Sequence, residues 1–531
     1  MRIKFLCAGG ALSALLAGCA ADLPTAGVPA ATAATAVSSP TPAPTEAVFT
    51  PPYGEAGALP GEEGAYYYIE ESHALIDYRG DIVLQGGQYG VVCDPFTGKA
   101  LAVTENRTVD TGGARNPVDP EYLNPFESPR IFVEGGITEE RVFTTAGVQI
   151  ADWAPRTYYA GPVGNLIYTD SDWHTYDQGE RNPAVCGGLD PATGTETEND
   201  LAAFYALDAN TAGYRTAGGE YGLCDTDGGN RTPLPEGDNF IGGFPDANGV
   251  YEVGSAYYGM GECSIEHIRL VNRDLTTFST DGTGYYMRGD DGTMYYNDDY
   301  GDAPSCAYNA DGALMYTAPE GSSIRYCSSK AILLKTEDSA QLITPEGTEI
   351  APVQQDCWAI SNGNGAQVIF SNLDWDKKGA RCLLRVDGSE VTVPENGPHD
   401  ANTVLPDGSL LLLGAVSDVN LDNPQYPGAL VTPENQIKTL GSYAGLSLLY
   451  DSQKIATIQA QAGYFYGWAR YGNQAIYDIY SPDGTLLLQN MGYTQLVGTH
   501  FITRKGFTAG VMDKNGKWLY KTSLFANGDG A

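Results

Sequence analysis

A polar turn flanked by two short apolar segments recurs along this chain, and it constrains the fold more than any other feature. The clear copies occupy residues 74–84, 383–393, 480–488 and 511–520, and weaker copies occupy residues 206–214, 307–316, 343–350 and 404–413. In the clear copies the turn contains Gly, which tolerates the positive φ angle that tight hairpin turns require. Each copy therefore predicts a β-hairpin.

Isolated hairpins cannot bury their apolar faces, so neighbouring hairpins must supply the core. The copies recur at gaps of roughly 20 to 50 residues, a range typical of propellers and solenoids. The chain has 66 Gly and 35 Tyr residues, which favour short strands and tight turns. We expect an all-β fold, a β-propeller of seven or eight blades over residues 63–531, closed by the hairpin 511–520 beside residues 65–70. Tandem β-sandwiches are the alternative.

The first 62 residues differ from the rest in composition. Arg2 and Lys4 precede the short apolar run 5–16, which predicts a signal peptide over residues 1–18. Leu16-Ala17-Gly18-Cys19 resembles a bacterial lipobox. This resemblance implies that signal peptidase cleaves before Cys19 and that Cys19 is lipidated. Residues 19–62 are rich in Ala, Thr and Pro and predict a disordered tether.

The resemblance to lipoproteins also implies a location and a partner. Acyl chains on Cys19 would anchor the protein in a lipid bilayer at the extracytoplasmic face of the cell membrane. The formal net charge of −36 would repel phosphate backbones, so we expect no nucleic acid partner.

The C-terminal copy Gly510-Val-Met-Asp-Lys-Asn-Gly-Lys-Trp-Leu519 resembles a bacterial WG-type repeat. The resemblance covers one strong copy and several degraded copies. It implies an extracytoplasmic repeat domain that binds something, and it transfers no catalytic residue.

One acidic cluster is a candidate for Ca²⁺, because closely spaced loop carboxylates suit this hard cation. Its members are Asp290, Asp291, Asp298, Asp299 and Asp302. The alternative is that these are solvated turn carboxylates, as expected in a chain with 66 acidic residues.

His399 is a candidate residue for the propeller axis. It lies in a stretch where His399-Asp400 is followed by Leu405-Pro406-Asp407-Gly408. This stretch resembles a strand segment of arylsulfotransferase-type propellers, in which several histidines converge on the axis. The partner histidines are not evident here, so a structural histidine on an inner strand is the alternative.

Eight cysteines remain after Cys7 and Cys19 are set aside. An even number outside the membrane permits up to four disulfides, and pairings such as Cys306–Cys327 and Cys357–Cys382 are attractive. Buried free thiols are equally compatible with the sequence.

Adjacent tyrosines occur at 66–68, 257–258, 285–286 and 295–296. Rings on an exposed rim stack on sugars or anchor protein partners, whereas rings between blades only fill space. We expect a binding or scaffolding module for a glycan or protein partner. The alternatives are an extracytoplasmic enzyme, either glycan-active or arylsulfotransferase-like, and a spacer without a ligand.

Overall fold

The structure is a computed structural model. It describes residues 60–94, 97–110, 136–161, 164–170, 186–198, 201–208, 210–216, 218–243, 249–259, 262–279, 282–298, 303–353, 357–361, 368–371, 383–393, 398–414, 425–454, 463–471 and 474–524. These residues form antiparallel strands and a single 3₁₀ helix, Glu70–Ser72. No helix among them has the length and hydropathy needed to span a bilayer.

Strand pairing in these residues gives eleven small sheets, numbered here in chain order. Each sheet is an antiparallel meander of three or four consecutive strands. Sheet 1 contains β1 (Tyr66–Ile69), β2 (Ala74–Asp77) and β3 (Ile82–Gln85); sheet 2 contains β4 (Gln88–Cys93), β5 (Ala100–Asp110), β6 (Gly136–Phe143) and β7 (Gln149–Ala154); sheet 3 contains β8 (Arg156–Ala160), β9 (Leu166–Asp170), β10 (Cys186–Leu189) and β11 (Glu196–Glu198).

The next four sheets follow the same order along the chain. Sheet 4 contains β12 (Leu201–Ala206), β13 (Thr211–Thr216), β14 (Tyr221–Asp225) and β15 (Thr232–Pro233); sheet 5 contains β16 (Phe240–Gly243), β17 (Tyr251–Gly259) and β18 (Glu262–Val271); sheet 6 contains β19 (Tyr285–Arg288), β20 (Met294–Asn297), β21 (Cys306–Tyr308) and β22 (Leu314–Thr317); sheet 7 contains β23 (Ser323–Cys327), β24 (Ile332–Lys335), β25 (Ala340–Ile343) and β26 (Glu349–Val353).

The last four sheets contain β27 to β41. Sheet 8 contains β27 (Trp358–Ser361), β28 (Val368–Ser371) and β29 (Leu383–Arg385); sheet 9 contains β30 (Pro398–Val404), β31 (Leu410–Gly414), β32 (Tyr426–Val431) and β33 (Ile437–Tyr443); sheet 10 contains β34 (Gly445–Leu448), β35 (Phe465–Tyr471), β36 (Gln474–Tyr480) and β37 (Leu486–Met491); sheet 11 contains β38 (Thr494–Val497), β39 (His500–Lys505), β40 (Thr508–Met512) and β41 (Trp518–Ser523).

The same five-residue turn joins many of these strands. The first residue donates its N–H to the carbonyl of the fifth, and the fourth residue donates its N–H to the carbonyl of the first. The fourth residue has positive φ, the conformation of a three-residue hairpin loop closed by a bulge. Eleven turns that are described in full have this geometry, namely 77–81, 144–148, 225–229, 272–276, 309–313, 344–348, 385–389, 405–409, 432–436, 481–485 and 513–517. The backbone conformation and hydrogen bonds of five consecutive residues therefore define each of these hairpins.

Each sheet packs against the sheet before it and the sheet after it. In the described residues, eleven buried apolar clusters each join two consecutive sheets, and none is confined to one sheet. The cluster that contains Tyr67, Ile76, Val511 and Tyr520 joins sheet 11 to sheet 1. The hairpin 511–520 thus packs beside residues 65–70, as predicted, and the sheets form a closed, propeller-like ring.

The all-β fold predicted from the sequence is confirmed. Paired, stacked sandwiches would give each sheet one packing partner, whereas each sheet here has two. The expected seven or eight blades are not confirmed, because the described residues form eleven sheets. The difference has a simple origin: the sheets between Tyr66 and Ser523 take about 42 residues each, fewer than the roughly 60 residues that each of eight blades would take over residues 63–531.

Four sheets meet where the ring closes. Gln453, which follows β34, accepts the Tyr66 N–H at 3.1 Å and donates to the Gly64 carbonyl at 2.8 Å. Lys454 forms an ion pair with Glu62 at 2.7 Å and lies against the backbone of Gly98 in sheet 2. We call residues 451–454 the closing segment.

Candidate functional site

Several residues singled out in the sequence lie outside the described part of the chain. These include Cys19 and residues 1–59, as well as Asp299 and Asp302. His399 lies on β30, but its side chain is not among those described. The lipidation of Cys19 and the axial position of His399 therefore stay predictions.

Asp290 is buried at the junction of three sheets. It lies in the turn between β19 and β20 of sheet 6, and its carboxylate accepts a hydrogen bond from Tyr326 of sheet 7 at 2.8 Å and further hydrogen bonds from Ser361 of sheet 8. Only 4% of Asp290 is exposed, and burial raises the pKa of its carboxyl. These hydroxyl donors occupy the carboxylate oxygens, which gives Asp290 a structural role between sheets.

Asp291 and Asp298 face different neighbours. The Asp291 carboxylate accepts hydrogen bonds from the backbone and hydroxyl of Ser329, at 3.1 and 2.5 Å. The Asp298 carboxylate accepts the Ala303 N–H at 2.7 Å and the Thr283 hydroxyl at 3.1 Å. No group of three or more His, Cys, Asp or Glu side chains suited to a metal ion occurs among the described residues. The calcium site, which needs Asp299 and Asp302, stays a prediction.

Sequence reasoning missed one histidine with an oriented ring. The His267 Nε2 lies 2.7 Å from Asp238 Oδ1, and Arg269 donates to Asp238 Oδ2 at 2.6 Å. The Asp238 side chain is only 3% exposed, whereas that of His267 is 37% exposed. A buried carboxylate therefore holds an accessible imidazole in place. No sequence signal points to it, because Asp238 precedes β16 and His267 lies on β18.

Four of the adjacent tyrosines noted in the sequence fill space between sheets, whereas the side chains of residues 257–258 lie outside the described part of the structure. Tyr67, Tyr286, Tyr295 and Tyr296 are all less than 9% exposed and belong to the apolar clusters. Tyr286 and Tyr296 pack together with ring centroids 5.1 Å apart. For these rings the space-filling alternative is confirmed.

A different set of tyrosines lies at the surface of sheets 10 and 11. Tyr450 follows β34, Tyr466 lies on β35, Tyr477 lies on β36, and Tyr493 precedes β38. Tyr450 and Tyr493 are 47% and 46% exposed, and Tyr466 and Tyr477 are half-buried. We call these four residues the tyrosine row.

The two central rings of the tyrosine row are in direct contact. Tyr466 and Tyr477 pack edge to face with centroids 5.3 Å apart, and both pack on the apolar cluster between sheets 10 and 11. Burial is the main cause that raises the pKa of Tyr450, Tyr477 and Tyr493. The second cause for Tyr450 and Tyr477 is the nearby Tyr466, and Tyr477 also raises the pKa of Tyr493. The row therefore consists of one packed ring pair, Tyr466 and Tyr477, with two exposed tyrosines close enough to interact with it electrostatically.

Polar and charged groups lie at both ends of the row. The Tyr493 hydroxyl donates to Gln495 at 3.3 Å. Beyond Tyr493, Arg504 forms ion pairs with Glu71 and, at 3.8 Å, with Glu70. At the other end, Tyr450 directly precedes the closing segment, in which Lys454 pairs with Glu62. An aromatic patch with polar margins can bind a ligand that has both apolar and hydroxyl-bearing faces.

Trp153 of sheet 2 offers a useful contrast. The guanidinium groups of Arg107 and Arg141 lie over its ring, at 4.2 and 4.6 Å from the centroid. These two arginines pair in turn with Glu139 and Glu105, each at 2.6 Å. The π system of Trp153 is thus already engaged by the protein's own cations, whereas no Lys or Arg among the described residues lies over a ring of the tyrosine row.

Four cysteines in the described part of the chain form no disulfide, namely Cys93, Cys224, Cys306 and Cys327. Cys306 and Cys327 therefore do not form the disulfide considered from the sequence, and Cys382 lies in a segment that the structure does not describe. Burial raises the pKa of Cys224 to about 11 and of Cys93 and Cys327 to about 12, which keeps these thiols protonated and unreactive.

Residues 339–530, which include the tyrosine row, match a family model described as a domain of unknown function, DUF5046. The match covers about a third of the chain. No curated protein matches the chain.

Several solved structures are similar to this chain at low identity. A crystal structure of a eukaryotic initiation factor is 10% identical, with a TM-score of 0.38, and the match covers 64% of this chain and 93% of that one. Dipeptidyl peptidase 4 of Porphyromonas gingivalis is 10% identical, with a TM-score of 0.34 and coverages of 83% and 60%. AztD of Citrobacter koseri is 10% identical, with a TM-score of 0.27 and coverages of 64% and 91%. At these values the similarities carry no information about what this chain binds.

Proposed function

We propose that this protein is an extracytoplasmic lipoprotein that binds a glycan through the tyrosine row. The observation that carries the proposal is the packed pair Tyr466 and Tyr477 at the junction of sheets 10 and 11, with Tyr450 and Tyr493 on the segments next to it. Tyr450 and Tyr493 are nearly half exposed. The faces of sugar rings present C–H groups that pack on such rings, while phenol hydroxyls and Gln495 supply hydrogen bonds.

The proposed location depends on the N-terminal sequence. Leu16-Ala17-Gly18-Cys19 supports lipidation at Cys19, and the Pro-rich segment up to residue 62 supports a tether. The tether would then join the ring at Glu62, beside Lys454 and the Tyr450 end of the row. A ligand-binding domain held near the membrane by acyl chains would capture glycans outside the cell.

A glycan array tests the proposal. The full chain is purified in a polyoxyethylene detergent, because the head groups of glucoside and maltoside detergents are themselves sugars. Binding is measured with Ca²⁺ and with EDTA. We expect binding to a defined glycan, and we expect the double variant Tyr450→Ala/Tyr493→Ala to bind at least about tenfold more weakly, since buried aromatic contacts dominate such interfaces.

Phe278→Ala is the matched control, because Phe278 is an aromatic residue with 39% exposure on the side of sheets 5 and 6. It should bind like the unaltered protein. Loss of binding in EDTA would favour the predicted calcium loop at 290–302. The proposal would be contradicted if no glycan bound in either condition, or if the double variant bound as tightly as the unaltered protein. Either result would favour a protein partner or a spacer.

An enzymatic function is the second candidate, and His267 is the observation that favours it. An exposed imidazole oriented by the buried Asp238 carboxylate has the arrangement of a general acid or base. Hydrolysis of aryl glycosides and transfer from aryl sulfates by the full chain test this candidate. Activity that disappears in His267→Ala or His399→Ala would support an enzyme, and the same activity in both variants would exclude these residues.

A further inference from the structure

The charges at the two ends of the tyrosine row bear on which glycans it accepts. At the Tyr493 end, the Arg504 guanidinium contacts two carboxylates, Glu70 and Glu71. The Glu70 side chain is 80% exposed, so its charge faces solvent beside the row. One cation against two carboxylates leaves this end with an excess of one negative charge.

The Tyr450 end has a similar composition. Lys454 lies 2.7 Å from Glu62 and 3.7 Å from Asp451, so one cation again faces two carboxylates. Asp451 is 5% exposed in its side chain and accepts the Gly498 N–H at 3.0 Å. Burial raises the pKa of Asp451, and Glu62, whose side chain is 45% exposed, presents the accessible carboxylate at this end.

Between the two ends, the row presents phenol rings and no carboxylate or cation of its own. The pKa values of Tyr450, Tyr477 and Tyr493 are raised above that of free tyrosine, so their phenols stay protonated. The two flanking cations are already held in ion pairs. A carboxylate, phosphate or sulfate on a sugar would therefore meet negative charge at both ends, next to cations that already have carboxylate partners.

From this arrangement, and on the basis of the proposed function, we infer that the tyrosine row selects uncharged glycans over glycans that carry acidic groups. The selection acts through repulsion from Glu70 at one end and Glu62 at the other, in a protein whose formal net charge is −36. Neutral sugar rings stack on the phenols without such repulsion.

Paired probes test this inference. A panel of glucan, mannan and galactan hexasaccharides is compared with the C6-oxidised uronate forms of the same length and linkage. In 20 mM salt we expect the full chain to bind a neutral member about three- to tenfold more tightly than its uronate counterpart. In 1 M salt the ratio should approach one, because the Debye length falls to about 3 Å.

Glu70→Gln tests where the repulsion originates. It should lower the neutral-to-uronate ratio at low salt, and Glu70→Lys should lower it further. Glu320→Gln makes the same change in net charge on the exposed turn before β23, far along the ring, and should leave the ratio unchanged.

The outcomes separate this inference from the proposed function. No binding to any member of the panel would overturn both. Equal affinity for neutral and uronate forms at low salt, with weaker binding by Tyr450→Ala/Tyr493→Ala, would overturn the selectivity and leave the glycan site standing. An equal effect of Glu70→Gln and Glu320→Gln would show that the charge of the whole protein, rather than the ends of the row, sets the preference, and would also overturn it.

Discussion

Single buried carboxyl groups should make the stability of this protein depend on pH. Glu140 on β6 accepts the Tyr158 N–H from sheet 3 at 3.0 Å, and burial raises the pKa of its carboxyl to about 7. Burial likewise raises the pKa values of Asp290 and Asp451. In each case folding favours the protonated form, because the charged form loses its hydration between the sheets.

Glu140 should therefore stabilise the fold more at mildly acidic pH than at neutral pH. A folded pKa of about 7 against 4.5 in the unfolded chain means that its contribution is complete below pH 4.5 and is lost as the pH rises through 7. We expect Glu140→Gln to raise the free energy of unfolding at pH 8 by about 1 to 3 kcal/mol relative to the unaltered protein, with little change at pH 5. Urea denaturation at the two pH values measures this.

The control is Glu346→Gln on the turn between β25 and β26. The Glu346 carboxyl is fully exposed and its pKa is lowered, so its contribution to stability changes only at pH values below about 4.5. The difference in stability between pH 5 and pH 8 should be the same in this variant as in the unaltered protein. If the difference in stability between pH 5 and pH 8 were also unchanged in Glu140→Gln, Glu140 would not be the source of that difference.

At the scale of single elements, the hairpin turns depend on one residue with positive φ. This residue is Gly in nine of the eleven fully described copies, and it is Leu275 or Asn435 in the other two. The side chain of Asn435 contributes a further bond, since it accepts a hydrogen bond from Arg385 of sheet 8 at 3.0 Å. Asn435 thus both adopts the conformation that the turn requires and bonds sheet 9 to sheet 8.

Two adjacent glycines allow the cost of this conformation to be measured. Gly219, in the turn before β14, has φ +87°, and a Cβ there would meet nothing within 4 Å in the described residues. Gly219→Ala should destabilise the protein by about 1 to 2 kcal/mol, through backbone strain alone. Gly219→Asn should cost less, because Asn adopts this conformation more readily.

Gly218→Ala is the control, since Gly218 does not have positive φ and its Cβ would lie at an ordinary 3.7 Å from Thr216. It should leave the midpoint of denaturation nearly unchanged. A similar loss of stability in both alanine variants would show that packing, not φ, is responsible.

At the scale of the whole molecule, the ring depends on the junction between its first and last sheets. The closing segment reaches sheets 11, 1 and 2 from sheet 10: Ser452 donates to Leu496 at 3.0 Å, and Gln453 bonds to Tyr66 and Gly64. These bonds supplement the apolar cluster between sheets 11 and 1. They also lie where the predicted tether enters the domain.

Gln453→Ala should loosen this junction. We expect a loss of about 1 to 3 kcal/mol, because the Gly64 carbonyl and the Tyr66 N–H lose their partner. Hydrogen–deuterium exchange should rise in β1 and in β38–β41 and stay unchanged in sheets 5 to 7. Gln474→Ala, at an exposed position at the start of β36, should change neither quantity. Uniformly faster exchange in Gln453→Ala would show that the ring opens as a single cooperative unit instead.

The sequence predicted the hairpins well because their cause is local. All eight copies of the turn pattern join strands or a bridge in antiparallel register, from Ala74–Gln85 to Val511–Tyr520. The closing contact between residues 65–70 and 511–520 was also predictable, since a repeat ring must join its ends. The number of sheets was not predictable, because two turns, 272–276 and 432–436, form with Leu or Asn where the pattern expects Gly.

What the sequence alone determined, then, is the class of fold, since the φ preferences of turn residues act within five residues of the chain. What only the tertiary structure decided is which rings are buried and which form a surface. Tyr67 and Tyr296 lie in two of the runs of adjacent tyrosines and are buried, whereas successive members of the tyrosine row are 11 to 16 positions apart, on two strands and on the segments beside two others. Their proximity depends on the pairing of β34 to β36 and the packing of sheet 11 on sheet 10. Such contacts are made between segments distant in sequence, and no local preference encodes them.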